Sequence, residues 1–322
     1  MSKYKKISKN IQQVIIDNPK TNNKSLIWLN ITNAGKEEME YLRKKYNFNL
    51  NHLRASSAKA FAQRPSIEQG SGYLFLILHF PAIQNNQIIA KEIDFFISGE
   101  YLVTIHGGKV GALDDCFNLC KKDEDSFLAY EYESSAILLY EVLEKLMLDC
   151  YALLDQSSIE ISRIEDIIFA HEQKQVVSKI LALRHNIINF RKIMQSHKNI
   201  IKKLMEMKSS VAKTPDINAY YKELIEHTKT IWEILENQKE TVEVLYQTNE
   251  SLLSYKISDI MKTLTIFSVI VFPLTLLAAI FGMNVTNGMP FLAVKNGFWL
   301  IMAVMLTGSL GMLLFFEKKK WL

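Results

Sequence analysis

Charge is missing from two long stretches of this 322-residue sequence. None lies between Lys262 and Lys295, and none between Lys295 and Glu317. Each stretch holds about 20 or more mostly apolar residues, enough to cross a hydrocarbon core. They exclude a plain soluble enzyme, and the lack of a third excludes a transporter with many spans. Cysteine is scarce: Cys116, Cys120 and Cys150 are the only three. With no other Cys or His beside them in sequence, they read as small buried hydrophobes rather than a metal or redox centre, suited to a reducing compartment. Gly107-Gly108 follows a strand but lacks the rest of a phosphate-binding pattern. No nucleophile–base or carboxylate pair stands out, so the chain reads as no enzyme and needs no organic cofactor. The net charge of +4 is too weak to point to nucleic acid.

The charge that is present lies ahead of the apolar stretches. Only four of the 38 basic and one of the 34 acidic residues come after Lys262. The earlier part therefore has a balanced soluble surface. Lys318-Lys319-Lys320 follow the second stretch, whereas the segment between the two carries only Lys295. Positive residues favour the cytoplasmic side, which places both termini in the cytoplasm and the short loop outside a cell (inner) membrane. Met1 to Gln13 is basic with no apolar segment behind it, so no secretion signal is expected there.

Within the soluble part, Ser25 to Ile31 alternates as a strand, and Asn33 to Tyr46 has helical spacing. Gly70-Ser71-Gly72 marks a turn before the buried strand Tyr73 to Phe80. Glu92 to Ile97 and Tyr101 to Ile105 flank Ser98-Gly99-Glu100 as a hairpin. From about Glu131 strand signals vanish, and Ser134 to Ile168 and Glu172 to Met207 read as long helices. After Pro215 no Gly or Pro occurs from Asp216 to Phe272. There Ile217, Leu224, Ile231, Leu245 and Leu252 fall on one heptad row, with Tyr221, Leu235 and Val242 on a second. Thr228, Gln238, Asn249 and Lys256 interrupt the pattern. It predicts a helical bundle or coiled-coil seam that associates copies below the membrane. One helix is expected from about Asp216 to Gly282.

The fold class is thus an α+β cytoplasmic domain, then a long stalk helix and two C-terminal transmembrane helices. The expected segments are an α/β domain over 1–130, a helical hairpin over 131–215, and a stalk over 216–262. A first transmembrane helix over 263–283, an outer loop over 284–296, a second helix over 297–316 and a basic tail over 317–322 follow.

The first span is not uniformly apolar. Ser251, Ser254, Ser258, Met261, Thr265 and Ser268 are spaced 3, 4, 3, 4 and 3 apart, and Phe272 and Thr275 continue the series on one helical face. Such hydroxyls either bond their own i−4 carbonyls and pack helices, or line a water-filled path. Pro273 removes one helical hydrogen bond within the span. Two helices cannot enclose a pore, so a path requires symmetric association around the first span. Gly282 and Asn284, which close it, also suit a left-handed helix cap.

Gly282-Met283-Asn284 at the end of the penultimate span and the terminal Lys318-Lys319-Lys320-Trp321-Leu322 resemble the CorA family of divalent-cation channels. Phe272-Pro273-Leu274-Thr275, Gln63-Arg64-Pro65 with Glu68 and Tyr73, and Leu102 to His106 extend the resemblance over most of the chain. It implies a homopentamer in a lipid bilayer. The first span would line the pore through Ser258, Met261, Leu264, Ser268, Phe272 and Thr275, with Thr265 on the same stripe. Gly282, Met283 and Asn284 would form the outer mouth, the Asn284 amides making a polar ring that holds the ion through its hydration shell. Mg²⁺ is the expected cargo, with Co²⁺ and Ni²⁺ behind it. A regulatory Mg²⁺ would have Glu223 as a candidate ligand.

The outer loop has no carboxylate, so attraction of cations at the mouth should be weaker than in members that carry one. Gln247 stands where some members have an acidic residue, which argues against a carboxylate sensor there. Two alternatives stay open: a zinc-transporting relative of the same family, and a membrane-tethered coiled-coil interaction protein that transports nothing. No titratable residue lies in the first span to couple protons.

Overall fold

Strand propensity in the first hundred residues produces a seven-stranded sheet in the computed structural model, which describes residues 2–17, 25–58, 63–122, 134–170, 173–207, 217–284, 290 and 295–321. The strands are β1 (Ser2–Lys6), β2 (Ile11–Asp17), β3 (Ser25–Thr32), β4 (Ser66–Gln69), β5 (Leu74–Gln84), β6 (Gln87–Ile97) and β7 (Tyr101–His106). Their order is β1-β2-β3-β7-β6-β5-β4. Every neighbouring pair is antiparallel except β3 and β7, which run parallel with Trp28 opposite Leu102 and Thr32 opposite His106. The second half of β6 is buried without alternation, as expected where both faces of a sheet are covered.

One face packs against α1 (Lys36–Tyr46) and α2 (Leu50–Ala55), around Leu42, Phe48, Leu53, Tyr73, Phe75 and Phe96. Phe48 stacks on Phe96 at 4.4 Å between ring centroids. On another face of the sheet Trp28 meets Phe117 of α3 (Gly111–Lys122) edge-on at 5.0 Å and donates its indole N–H to Thr104 Oγ1 at 3.2 Å. The turns follow local chemistry. Asn85 and Asn86 take φ of 51° and 62° between β5 and β6, the left-handed pair a two-residue hairpin demands. Asn47 closes α1 at φ 53°. All three cysteines are buried thiols outside any disulfide.

Three features depart from the sequence reading. The N-terminal residues, read only as basic, form the hairpin β1–β2. The helix expected over 172–207 turns at Gln195-Ser196 into α5 (Gln173–Met194) and α6 (His197–Glu206). The third departure concerns the heptad seam of α7 (Ile217–Phe281), which follows α4 (Ser135–Phe169). Pro215 and the residues around it lie outside the described ones.

Ile217, Tyr221, Leu224, Ile231, Leu235, Val242 and Leu245 are all buried within the single chain. The Tyr221 hydroxyl donates to Ala136 O of α4 at 2.9 Å. Gln238, one of the polar interruptions, donates to Leu154 O and Ser158 Oγ of α4 at 2.8 and 2.9 Å. Arg191 of α5 pairs with Glu236 and lies 4.7 Å from the centre of the Trp232 ring. The seam is therefore consumed inside one chain, and it does not supply the means of association expected of it. The chain folds as two compact units, Met1–Leu245 and Tyr246–Leu322, with α7 contributing to both.

Candidate ion-conduction face

The second unit holds the upper part of α7 and α8 (Gly297–Lys318). Both helices are long and apolar enough to cross a membrane, and 6% and 0% of their most apolar windows are buried. Phe267, Phe272, Leu276, Phe298 and Trp299 are exposed. Apolar surface of this extent needs lipid or further protein to cover it.

The two helices meet through Leu277 and Phe281 of α7 and Leu300, Ile301, Val304 and Met305 of α8. Ile266 is the one well-buried residue among the apolar positions of upper α7. At about 100° per residue, Ile266, Leu277 and Phe281 fall within about 60° of one another. Ser258, Met261, Leu264, Thr265, Ser268, Phe272 and Thr275 fall within an arc of about 120° centred nearly opposite. The stripe thus points away from α8. Met261, Leu264 and Phe272 are exposed, as are Ser258, Thr265 and Thr275, while Ser268 is half-buried.

The hydroxyls along this helix are spoken for on one side. Thr265 donates to Met261 O at 2.7 Å, Ser268 to Leu264 O at 2.9 Å and Thr275 to Val271 O at 2.8 Å. These are the i−4 bonds of the simpler sequence reading. Their consequence is directional. A hydroxyl whose proton is committed to the backbone offers only lone pairs outward, so each oxygen is an acceptor for water that is itself bound to a cation.

Pro273 lies within α7 without ending it. At the top, Gly282 N–H donates to Ala278 O at 3.0 Å and Met283 N–H to Ile280 O at 3.3 Å. Neither Gly282 nor Asn284 has a positive φ, so the left-handed cap does not form. Glycine is favoured at 282 for another reason: a Cβ there would lie 3.1 Å from Ala278 O. Met283 and Asn284 are exposed beyond the helix end. Thr286, Asn287, Met289 and Phe291 lie outside the described residues.

Glu223 sits far down α7, and the fold gives it company that the sequence did not reveal. Ligand atoms of Glu144, Glu223 and His227 lie within 4.8 Å of one another. The Tyr140 hydroxyl stands between Glu144 Oε1 and Glu223 Oε2 at 2.9 and 3.0 Å, and Tyr151 OH meets His227 Nδ1 at 3.0 Å. Burial, followed by the two carboxylates, pushes the Tyr140 phenol well above its ordinary value. Glu144 and Glu223 lie 79 positions apart, on α4 and α7, so no local spacing signals the group. Glu223 itself is exposed.

The family model described as CorA-like Mg²⁺ transporter protein matches residues 23–319. The chain belongs to the CorA family. A cobalt/magnesium transport protein CorA of Thermotoga maritima is 25% identical over 297 residues, covering 92% of this chain and 83% of its own. The protein of the same name from Methanocaldococcus jannaschii is 23% identical over 297 residues, 92% of each chain. The complete structure of the CorA magnesium transporter from Methanocaldococcus jannaschii matches with a TM-score of 0.83 at 22% identity over 92% of each chain. The ZntB cytoplasmic domain from Vibrio parahaemolyticus matches with a TM-score of 0.59 at 14% identity, over 71% of this chain and 88% of its own. At these identities the structural likenesses speak for the fold alone. The α+β soluble part, long helix and C-terminal apolar helix are thus a CorA arrangement, and the chain is a membrane transporter of the divalent-cation class.

Proposed function

We propose that five copies of this chain surround a pore lined by α7, through which Mg²⁺ passes largely hydrated into the cell. The observation that carries this reading is the stripe. It faces away from α8, and its hydroxyl lone pairs point outward. A ring of copies that turned α8 toward lipid would turn these oxygens toward the axis.

Mg²⁺ gives up its water reluctantly and prefers an oxygen octahedron. No carboxylate lies on the stripe to replace that water, so stripping the ion there would be prohibitive. The hydrated ion instead meets Asn284 amides at the mouth, in keeping with Gly282 and Met283 ending the helix below them. Met261, Leu264 and Phe272 form an apolar constriction that closes by dewetting. Inward passage is downhill, because a double charge gains about 4.6 kcal/mol per 100 mV of inside-negative potential. Both termini stand in the cytoplasm under this reading. Glu223, with Glu144 and His227, is its regulatory-ion candidate on the stalk.

In proteoliposomes, Asn284→Ala should reduce Mg²⁺ uptake to background while the oligomer stays intact on size exclusion. Normal uptake by an intact oligomer would reject the amide ring. Uptake of Mg²⁺ against Zn²⁺, Co²⁺ and Ni²⁺, with and without a membrane potential, decides the ion, which the soluble fold shared with ZntB does not.

A further inference from the structure

α1 and α2 border an open groove of about 690 Å³ in the first unit. Each helix turns one face to it. On α1 that face carries Lys36, Glu40, Arg43 and Asn47, spaced 4, 3 and 4 apart. On α2 it carries Leu50, Leu53 and Arg54. The turn between them is held by local chemistry: Asn47 closes α1 at φ 53°, and Asn49 Oδ1 accepts the Asn51 N–H at 2.8 Å to start α2. Arg43 and Arg54 thereby reach one groove from two helices.

The walls carry four cations, Lys36, Arg43, Lys44 and Arg54, against one carboxylate, Glu40, for a net charge of +3. Glu40 is already engaged. Lys44 Nζ pairs with it at 2.6 Å, and that pair, followed by the charge of Arg43, holds its carboxyl below the ordinary range. Among the described residues Lys36, Arg43 and Arg54 form no ion pair. Helix ends account for part of this charge. Arg43, Lys44 and Arg54 lie in the last turns of their helices, where a cation is favoured. Lys36 does not fit that account, because it opens α1, where the macrodipole disfavours a cation. A local rule broken without local gain is characteristic of functional sites. Apolar surface completes the lining: Leu53 is buried, Met39 is half-buried, and Leu50 is 43% exposed.

We propose that this groove binds a multiply charged phosphate ester of the class of a nucleoside di- or triphosphate. Arg43 and Arg54 present planar forks that take phosphate oxygens two at a time. Lys36 adds a point charge, and Met39, Leu50 and Leu53 cover the apolar part of the ester. A net charge of +3 exceeds what a monoanion neutralises. The volume is that of a small-molecule site, several hundred Å³, rather than that of a bare inorganic ion. The ligand is an anion and its site belongs to the first unit, so binding does not rest on the pore reading of the second.

The test is calorimetric titration of the full-length protein in detergent with ATP and with pyrophosphate, a chelator being present so that free divalent cations play no part. Wild type should take one ATP per chain. Arg43→Ala and Arg54→Ala, both at exposed positions outside the core, should each weaken ATP and pyrophosphate by about 10- to 100-fold, the weight of a hydrogen bond to a charged group. Leu50→Ala should weaken ATP by about four- to 15-fold, the worth of one or two methylenes, and leave pyrophosphate unchanged. Non-specific attraction between charges cannot produce that split. Lys202→Ala removes an exposed cation of α6 outside the groove and should change neither. No saturable ATP binding by wild type would overturn the proposal, as would binding that Arg43→Ala and Arg54→Ala leave intact or that Lys202→Ala weakens equally. Asn284→Ala, which stops uptake under the pore reading, should bind ATP as wild type does, so the two readings fail separately.

Discussion

The lower and upper parts of α7 are built from the same amino-acid types with nearly the same period, and they meet opposite surroundings. From Ile217 to Leu245 the apolar positions of the heptad seam are buried by helices of the same chain. Above Lys262 the same row holds one buried residue, Ile266 at 6%, and the apolar residues on the other faces are exposed, Phe267 at 65% and Phe272 at 73%. What separates the two is the rest of the helix surface. The lower part carries charge on its remaining faces, as with Glu236 and Glu243 pairing with Arg191 and Arg184. The upper part carries none. A helix polar on one side buries its stripe within a soluble chain. A helix apolar all round must be solvated by lipid, and its small polar stripe is then the face that other copies or water must cover.

This comparison is broken most severely by truncating each half in turn. Leu235 is fully buried in the lower half, so Leu235→Ala should destabilise the protein by about 2–5 kcal/mol, seen as a lower thermal midpoint by near-ultraviolet circular dichroism. Leu264 is 58% exposed in the chain, and Leu264→Ala should scarcely move the melting of the soluble unit while altering conductance. A large stability loss from Leu264→Ala and a small one from Leu235→Ala would reverse the assignment of the two halves.

How much of this was legible in sequence divides along the same line. The spans showed themselves because charge is absent over lengths a bilayer imposes, and the stripe because a 3-4 spacing maps directly onto a helix face. The strands expected at Ser25–Ile31, Tyr73–Phe80, Glu92–Ile97 and Tyr101–Ile105 were visible through alternation, an unbroken apolar run and turn residues, although β5 runs on to Gln84 and β6 begins at Gln87. The β1–β2 hairpin was not, because its Lys-rich edge strand hides the pattern, although Asn10 and the run Ile11–Asp17 hold it. The destination of the heptad seam was illegible in principle: periodicity specifies that a face is buried, never whether the partner is another copy or the same chain. The groove shared by Arg43 and Arg54 and the grouping of Glu144 with Glu223 and His227 are tertiary coincidences that no local spacing encodes.

A smaller effect comes from two titratable groups buried in the first unit. Asp94, raised by burial from 3.8 to about 7, binds a proton in the folded chain that the unfolded chain releases, so it makes stability fall as pH rises from about 4 to 7. His197, fully buried and lowered from 6.5 to about 4 mainly by that burial, acts in the opposite sense, and stability rises with pH between about 4 and 6.5. In metal-free buffer the two slopes oppose each other. Asp94→Asn should remove the first and leave the second. The variant then gains on the order of 2–4 kcal/mol over wild type above pH 7 and shows a net loss as pH falls below about 6.5. Parallel stability–pH curves for the two proteins would show that Asp94 is not the buried acid responsible.

The finest cut compares two threonines two residues apart. Thr265 donates to Met261 O at 2.7 Å, and Thr263 donates to Asp259 O at 3.0 Å, the same i−4 bond in the same helix. At about 100° per residue they lie roughly 160° apart, Thr265 on the stripe and Thr263 toward the side that meets α8. Replacing either by Ala removes an identical hydroxyl and costs the fold about the same, within 1 kcal/mol or so. Only Thr265→Ala takes an outward lone pair from the water-bearing face, so it alone should slow Mg²⁺ flux, by about two- to tenfold, the worth of a single hydrogen bond. Stability cannot produce such an asymmetry because the two lost bonds are matched. Flux measured in proteoliposomes for both variants therefore isolates the orientation of the stripe, and equal slowing by Thr263→Ala would mean that the path does not run along it.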